Sequence, residues 1–479
     1  MSANAGVDNV THGLAGLLVA DAAGHWLEHR KVPVTPRIRR ALSVLGIVAA
    51  EFPDSDLVYS GPVLDMGPLG YLLHHRGHTH TIVWAVASAL LLWWVARRWV
   101  GGSGRLVSRA LLVVALVGTL SHLLLDFTNS YGVHPFWPFD GRWYYGDAVF
   151  IVEPWLWLVA IPALFWNRPS SVGKVLLPLF YLLILAAVWF LGQVARDVAV
   201  VLLVFAATWP LVQRMLGGVQ RTASGMLTWG LVTALFFVAS SRAEATVRAA
   251  ASSAAGVGAS QVLDVVLNPG PGDWGCWSAL VMSRDSERYR VTSAFVAPFG
   301  AVRSLEVCSA RYQQGRIGSD VLAGLAGRAD PLFVPTASVV WRSSWSAPLA
   351  DLPTLARVRC EVHAALYFMR TPVWQRVSPA QLLLSDARFG IGGSGFSDVV
   401  VPTNGVCSFP NGWIPGWVPP RTDLLDASLR GDSAALGLGG TTTSNSPTVG
   451  SSGRGRRGRR QGTGIPRAVV RAPVWSGPA

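Results

Sequence analysis

Three short polar stretches stand out in the apolar first half of the chain, because their residue types could bind a metal ion. They are DNVTH at 8–12, HHRGHTH at 74–80 and HLLLDFTNSYG at 122–132. At least two of them adjoin hydrophobic segments long enough to enter a bilayer. Ionisable groups at membrane depth are costly, and they are functional candidates by default. We therefore interpret the three stretches as parts of one site.

The spacing inside the first and third stretches predicts how this site is built. Asp8 and His12 are four residues apart, as are His122 and Asp126, so each pair projects from one face of a helix. Neutral imidazole and carboxylate together suit zinc or a similar borderline divalent ion. A catalytic ion of this kind needs three or four such ligands and an open position for water.

A predicted helical hairpin supplies most of the coordination sphere. Its two apolar segments, 79–96 and 106–127, return the histidines of 74–80 to the neighbourhood of His122. The EFPDSD turn at 51–56 adds two further carboxylates. The predicted metal ligands are Asp8, His12, Asp54, Asp56, His75, His80, His122 and Asp126.

Three further residues are predicted to act in catalysis. A bound divalent ion lowers the pKa of water from 15.7 to about 7 and so provides a nucleophile at neutral pH. Arg76 would bind an anionic oxygen through its planar guanidinium. His78, or alternatively Asp56, would transfer protons, and Asn129 would orient the substrate or a ligand.

Simpler structural roles remain open for some of these residues. Asp8 could be a helix N-cap, and His12 could be a hydrogen-bonded core histidine. Asp54 and Asp56 follow Pro53 and could belong to an ordinary turn. A solvated interfacial loop explains 74–80 less well, because four histidines and an arginine lie within seven residues.

The elements that must position these residues are predicted to be membrane helices. The 479 residues are 51% hydrophobic and 14% charged, with a mean hydropathy of +0.38. In soluble proteins about a quarter of all residues are charged. Two weaker segments, 10–27 and 38–50, are predicted to be short or tilted helices. Six confident spans of near 20 residues are predicted at 79–96, 106–127, 149–166, 175–194, 197–216 and 225–241.

The distribution of lysine and arginine predicts the orientation of this polytopic α-helical domain. One set of loops is rich in Lys and Arg, whereas the opposite set has only Arg142 and Arg196 besides Arg76 of the predicted site. By the positive-inside rule the first set is cytoplasmic. We therefore predict a multi-pass protein of the plasma (inner) membrane, with the metal site on the extracytoplasmic side.

Beyond the helical domain, 1–245, the chain changes character. Short alternating segments such as YRVTSAFVAPF at 289–299 predict a β-rich domain over 246–428, which odd-even counting of the spans places outside the cytoplasm. All four cysteines, and therefore one or two predicted disulfides of open connectivity, lie there. Four unpaired buried thiols are the alternative. The cysteines are Cys276, Cys308, Cys360 and Cys407.

The last segment, 429–479, is predicted to be a disordered tail. It is rich in Gly, Ser and Thr and contains RGRRGRR at 454–460, and such a composition cannot bury a core. A basic run can bind nucleic acid or anionic lipid. The predicted outer location disfavours nucleic acid, and the oligomeric state is left open.

At the level of ordered motifs, the chain resembles the YdjM-like membrane-bound metal-dependent hydrolases, a family of inner-membrane proteins. The resemblance extends from about residue 8 to about residue 400, and it implies a membrane-embedded metal-dependent hydrolase whose substrates are poorly defined. An older description of the family as binding the LexA repressor has no support in these residues. The motifs are Asp8, His12, PDSD at 53–56, HRGHTH at 75–80, HxxxD at 122–126, NSYG at 129–132, GDAVFIVEPWLW at 146–157 and DARFG at 386–390.

The predicted function is hydrolysis of an ester or phosphoester at the outer membrane–water interface. Membrane lipids and an amphiphilic small molecule are the expected partners, and zinc is the favoured metal. Two other classes remain open. A proton- or metal-coupled transporter would use the same ionisable groups as a relay, and a non-catalytic scaffold would bind the metal structurally, without an open coordination position.

Overall fold

A computed structural model of the chain describes most residues up to 426, all of them within the unit Met1–Ser433. Side chains are not described for 5–8, 171–172, 253, 311–314 and 328–329. The predicted tail, 429–479, and Cys407 lie outside the described residues. The described ranges are 5–60, 67–101, 104–167, 171–253, 261–314, 321–322, 325, 328–329, 333–392, 396–404 and 414–426.

The described chain up to residue 253 consists of helices joined by loops, and it has no multi-residue β-strand among these residues. Two 3₁₀ turns, Phe52–Asp56 and His78–His80, separate some of the helices. The second helix begins at a capped proline, because the Thr35 side chain accepts a hydrogen bond from the Ile38 N–H at 3.3 Å. The helices are α1 (Ala5–His29), α2 (Pro36–Glu51), α3 (Leu57–Ser60), α4 (Pro68–His74), α5 (Ile82–Val100), α6 (Arg105–Phe127), α7 (Pro154–Asn167), α8 (Ser171–Phe190), α9 (Arg196–Met215) and α10 (Gly218–Ser253).

Five of these helices, rather than the six predicted, are long and apolar enough to cross a membrane among the described residues. The predicted span 149–166 is instead α7, with 14 residues. At 1.5 Å per residue α7 is about 21 Å long, short of ~30 Å of hydrocarbon. It begins only at Pro154, which favours a helix start. The five spans are Ile82–Val100, Arg105–Phe127, Gly173–Phe190, Arg196–Met215 and Gly218–Ser252.

Small residues let α1, α2 and α6 approach one another closely. A Cβ atom at Gly16 would lie 2.1 Å from the Gly46 carbonyl oxygen, and one at Gly118 would lie 2.8 Å from the Ala49 Cβ. Close backbone contact through small residues is typical of helix packing in membranes. These contacts bring α1, the end of α2 and the second half of α6 together.

The β-rich region predicted after residue 245 is present. A five-stranded antiparallel sheet has the order β1-β2-β3-β5-β4, and a three-stranded antiparallel sheet has the order β6-β7-β8. The strands are β1 (Gln261–Gly270), β2 (Asp273–Arg284), β3 (Arg288–Val296), β4 (Arg328–Ala329), β5 (Val339–Pro348), β6 (Pro372–Ser378), β7 (Gln381–Asp386) and β8 (Val399–Pro402). Three helices accompany them: α11 (Leu305–Gln314), α12 (Asp351–Val358) and α13 (Cys360–Ala365).

A disulfide joins β2 to α11, as the cysteine content predicted. It links Cys276 to Cys308, both fully buried. Cys360 is also in a disulfide. The alternative of four unpaired thiols is therefore wrong.

The sheet and the helices share one hydrophobic core. The helix α10 has 36 residues, about 54 Å at 1.5 Å per residue, so it is longer than the bilayer core is thick. Its last turns place Val247 and Ala251 in the same cluster of buried side chains as Val265 and Trp277 of the sheet. The sheet is thus packed directly on the helical region.

Candidate metal centre

Three chain segments that are distant in sequence meet beside the ends of α1, α2 and α6. The turn Phe52–Asp56 leads out of α2, and the segment 75–80 precedes α5. The last turns of α6 and the following residues 128–131 complete the group. The contact of Gly118 with Ala49 lies in α2 shortly before the turn Phe52–Asp56 and in α6 shortly before its last turns.

Four side chains direct one donor atom each toward a common point. They are Asp54, His80, His122 and Asp126, and their donor atoms all lie within 4.8 Å of one another. His80 Nε2 is 3.0 Å from His122 Nε2 and 3.0 Å from Asp126 Oδ2. Asp54 Oδ1 is 3.4 Å from both imidazole nitrogens, and His122 Nε2 is 3.3 Å from Asp126 Oδ2.

These spacings fit a tetrahedral metal site. Four ligand atoms that are ~2.0–2.1 Å from a central zinc ion lie ~3.3–3.4 Å from one another, and five of the six pairs observed here span 3.0–3.4 Å. Two imidazoles and two carboxylates also suit a borderline divalent ion. The four donor atoms therefore fit the zinc or similar divalent ion that the sequence predicted.

Hydrogen bonds on the far side of each imidazole fix its orientation. His122 Nδ1 is 2.5 Å from the Ala50 carbonyl oxygen, which can only accept, so Nδ1 carries the proton. His80 Nδ1 is 3.2 Å from Asp56 Oδ2 and 3.1 Å from the Thr79 hydroxyl. In both rings the Nε2 lone pair is left for the common point, as in metal sites whose ligands are held by a second layer of hydrogen bonds.

Asp56 organises a second, overlapping group. Its Oδ1 is 3.0 Å from His75 Nδ1, and its Oδ2 accepts from the Arg76 N–H at 2.9 Å and the Thr79 hydroxyl at 2.8 Å. Asp54, Asp56 and His75 also bring one donor atom each within 4.8 Å of the others. Asp56 consequently orients His75 and His80 at the same time.

Arg76 lies beside the four-donor group in an unusual backbone conformation. Its φ of 58° is in the left-handed region, which a residue other than glycine adopts rarely and at a cost of about 1–3 kcal/mol. Its guanidinium donates to Asp126 Oδ1 at 2.8 Å and to Asn129 Oδ1 at 3.0 Å, and it lies 4.6 Å above the Tyr131 ring. This conformation directs the buried charge at a carboxylate of the group.

Of the two predicted ligands of α1, His12 has a described side chain, and it lies beside the four-donor group rather than within it. His12 stacks on His122 with ring centroids 3.9 Å apart, and its Nε2 is 3.3 Å from Asp126 Oδ1. It therefore packs against the four-donor group from outside. Asp8 lies in α1, and its side chain is outside the described residues.

The two other residues predicted to act in catalysis, Asn129 and His78, lie in different surroundings. Asn129 lies next to Arg76 and accepts the hydrogen bond already described. His78 packs between Trp137 and Trp417, with ring centroids at 4.6 and 4.7 Å, and belongs to neither donor group. Arg76 and Asn129 are thus placed at the centre, and His78 is placed beside it.

The carboxylates of the turn Phe52–Asp56 are ionised. Burial alone would raise the pKa of Asp54, but the neighbouring imidazoles of His122 and His80 hold it well below its usual range. Burial also opposes ionisation of Asp56, but the neighbouring imidazoles of His75 and His80 hold its pKa below the usual value. The centre consequently attracts a positive charge, whether a proton or a metal ion.

Sequence reasoning from the residues themselves missed the contribution of the β-rich region. Arg388, which follows β7, donates to the carbonyl oxygens of Ser130 at 2.7 Å and Tyr131 at 3.3 Å, and it pairs with Asp386 at 2.7 Å. These carbonyls belong to the loop that carries Asn129. The only signal was the resemblance of DARFG at 386–390 to a family motif, because nothing local indicates a contact across 258 positions.

A cavity of about 780 Å³ adjoins the centre. Such a volume is within the range of small-molecule sites, about 300–1,000 Å³. Its polar lining includes Asp54, His75, Arg76, Asn129 and Arg388. The centre is therefore accessible from a space that a ligand can occupy.

Comparison with known proteins identifies a family and a relative of this chain. The family model described as YdjM inner membrane protein matches residues 7–195. The inner membrane protein YbcI of Escherichia coli (strain K12) is 32% identical over 150 residues, a match that covers 26% of this chain and 82% of that protein. No solved structure matches. The range 7–195 contains both donor groups.

Proposed function

The chain belongs to the YdjM family of inner membrane proteins, and we propose that it is a metal-dependent hydrolase embedded in the membrane. The observation that carries this proposal is the largely buried donor group Asp54, His80, His122 and Asp126 together with the ligand-sized cavity that Asp54 lines. Catalysis would require a coordination position for water from this cavity in addition to the protein ligands. These four residues would hold the ion, and zinc suits their mixture of imidazole and carboxylate. When bound, such an ion lowers the pKa of water to about 7 and so supplies the nucleophile.

Side chains beside the donor group would stabilise negative charge on the substrate and transfer protons. Arg76 and Asn129 line the cavity, where a guanidinium and an amide can bind an anionic oxygen and stabilise the negative charge that develops on it. This arrangement favours a phosphoester over a neutral ester.

For proton transfer we propose His75 in place of His78. His75 lines the cavity and is held through Nδ1 by Asp56 at 3.0 Å, whereas His78 is not among the lining residues. A histidine oriented by a carboxylate is a common general acid or base. His75→Gln should therefore lower turnover far more than His78→Gln.

The proposed location of the reaction is the outer membrane–water interface, and the proposed substrate is an amphiphilic ester or phosphoester. The excess of Lys and Arg in one set of loops supports this side of the inner membrane. The family match supports the inner membrane itself.

Metal analysis and hydrolysis assays on the same preparations test the proposal. Purified full-length protein should contain a stoichiometric divalent metal and hydrolyse fluorogenic phosphoesters or labelled lipids. His80→Ala and Asp126→Ala should lose both, while His29→Ala, an exposed position at the end of α1, should lose neither. Retained metal with no turnover on any ester would instead indicate a scaffold.

A further inference from the structure

Most of the cavity beside the centre is apolar, although its inner end is charged. One wall is formed by α7, α8 and the segments that flank them, and the opposite wall by the five-stranded sheet. The apolar lining residues include Phe150, Trp157, Val188, Leu191, Leu280 and Phe295. An apolar space of this size takes up hydrocarbon more readily than water.

One face of a membrane-spanning helix runs along this cavity. Ile184, Ala187, Val188 and Leu191 line it, and their spacing of three and four residues places them on one face of α8 and its immediate continuation. Ile184 and Val188 are buried, whereas Leu191 is 66% exposed. The cavity therefore begins among the groups of the metal centre and reaches the surface at the end of α8.

The sheet closes the opposite side. Val266, Leu280 and Phe295 come from three neighbouring strands, β1, β2 and β3, and their register places them on one face of the sheet. All three are buried while lining the cavity. The β-rich region thus presents apolar side chains to the cavity at the level of the membrane helices.

A space that is charged at one end, apolar along its length and open beside a spanning helix matches the shape and polarity of a lipid. We propose that this cavity binds a membrane lipid with an ester-linked headgroup at the metal centre and one hydrocarbon chain between α8 and the sheet. The position of the headgroup rests on the proposed function. The position of the chain rests on the cavity alone.

Photo-crosslinking tests the chain's position without requiring turnover. The probe is a phospholipid whose acyl chain carries a diazirine, incorporated in phosphatidylglycerol nanodiscs with the full-length protein, and labelled peptides are mapped by mass spectrometry. We expect labels on the cavity face of α8 and on β1–β3. Labels confined to lipid-exposed residues such as Leu182 and Leu211 would overturn the proposal.

A matched pair of substitutions on α8 makes the test specific. Val188→Trp fills the cavity and should reduce labelling of the strands at least tenfold. Ala187→Phe, at a half-buried lining position, is a milder variant should Val188→Trp fail to fold. Leu182→Trp is the control, because Leu182 is 62% exposed and does not line the cavity. Equal strand labelling in Ala187→Phe, Val188→Trp and wild-type protein would also overturn the proposal.

Chain length provides a second readout. Each buried methylene favours binding about fourfold, so competition against the probe should strengthen with acyl chain length until the cavity is filled. No dependence on length would contradict the proposed chain position. Labelling of the strands without any hydrolysis would contradict the proposed function but not the lipid cavity. Hydrolysis of soluble phosphoesters without labelling of the strands would contradict the lipid cavity but not the proposed function.

Discussion

The imidazoles of the donor group are oriented by hydrogen bonds at Nδ1, the ring nitrogen that faces away from the group. His122 is fixed by the Ala50 carbonyl oxygen and His80 by Asp56, so that neither imidazole must reorient to meet an ion. Preorganisation of this kind has a cost, since ionised carboxylates are buried beside Arg76 at a positive φ. Such strain is typical of functional sites.

One buried histidine outside the centre should make the fold acid-sensitive. His134 is stacked between Trp143 and Trp417, at 3.8 and 4.0 Å, and burial lowers its pKa to about 3. Since the unfolded histidine titrates near 6.5, the stability that this residue contributes is present above pH 6.5 and is lost as the pH falls toward 3. Between pH 7 and pH 5 the loss should be about 2 kcal/mol.

Chemical unfolding in detergent, followed at both pH values, measures this loss. His134→Gln should have a smaller difference in unfolding free energy between pH 7 and pH 5 than the wild-type protein. An equal difference in the two proteins would show that His134 is not responsible.

Between elements, the decisive contacts are those of small residues. The ligands of α6 and of the turn Phe52–Asp56 meet because Gly16, Gly46 and Gly118 allow three helix backbones to approach. Bulkier residues would separate the helices. The geometry of the centre is therefore set by residues that do not themselves touch an ion.

Gly16→Ala should disturb this packing. The added Cβ would lie 2.1 Å from the Gly46 carbonyl oxygen, a backbone atom that cannot move alone, so we expect a loss of about 1–3 kcal/mol together with weaker metal binding. Gly24→Ala is the control in the same helix, because nothing lies within 4 Å of its Cβ position. It should leave the melting temperature unchanged or raise it. Equal melting temperatures and metal contents in both variants would contradict this account.

The parts of the site that could be predicted from sequence are those with a pattern among neighbouring residues. The pair His122 and Asp126 has the spacing of one helix face, and hydropathy indicated the helices that carry it. The inclusion of Asp54 was predictable only as one option for a turn. Nothing local shows that Asp56 orients two histidines, because this depends on how the turn packs against 75–80. The predicted span 149–166 failed because hydropathy does not register that the helix starts at Pro154.

Across the whole molecule, the β-rich region is coupled to the centre through buried charges. Arg388 holds the carbonyls of Ser130 and Tyr131, and Arg370 pairs with Asp147 at 2.8 Å and Asp264 at 2.8 Å. Both arginines thus connect the strands to loops that follow α6. Sequence reasoning placed the two regions in separate domains, and their shared core had no local signal.

Arg388→Lys tests this coupling. A lysine keeps the charge but lacks the planar fork that reaches Asp386 and two carbonyl oxygens at once, so the loop with Asn129 should shift. Misplacement of about 1 Å can cost on the order of 100-fold in rate. We expect a 10- to 100-fold loss of turnover with the metal content retained, whereas Arg376→Lys, at an exposed position of β6, should have no effect. Full turnover in Arg388→Lys would contradict a positioning role.

The orientation in the membrane can be tested with alkaline phosphatase fusions, because the enzyme is active only outside the cytoplasm. The excess of Lys and Arg in one set of loops predicts an active fusion after residue 245 and an inactive one within 98–108. The reverse pattern would move the centre to the cytoplasmic side and make nucleic acid a reasonable partner for the basic tail.

X-ray absorption at the zinc edge, on zinc-loaded full-length protein, tests the central claim most directly. The account predicts a shell of nitrogen and oxygen ligands at about 2.0–2.1 Å, with the outer scattering of two imidazoles from His80 and His122. Failure to retain zinc, or a bound ion whose spectrum has no imidazole contribution, would contradict it.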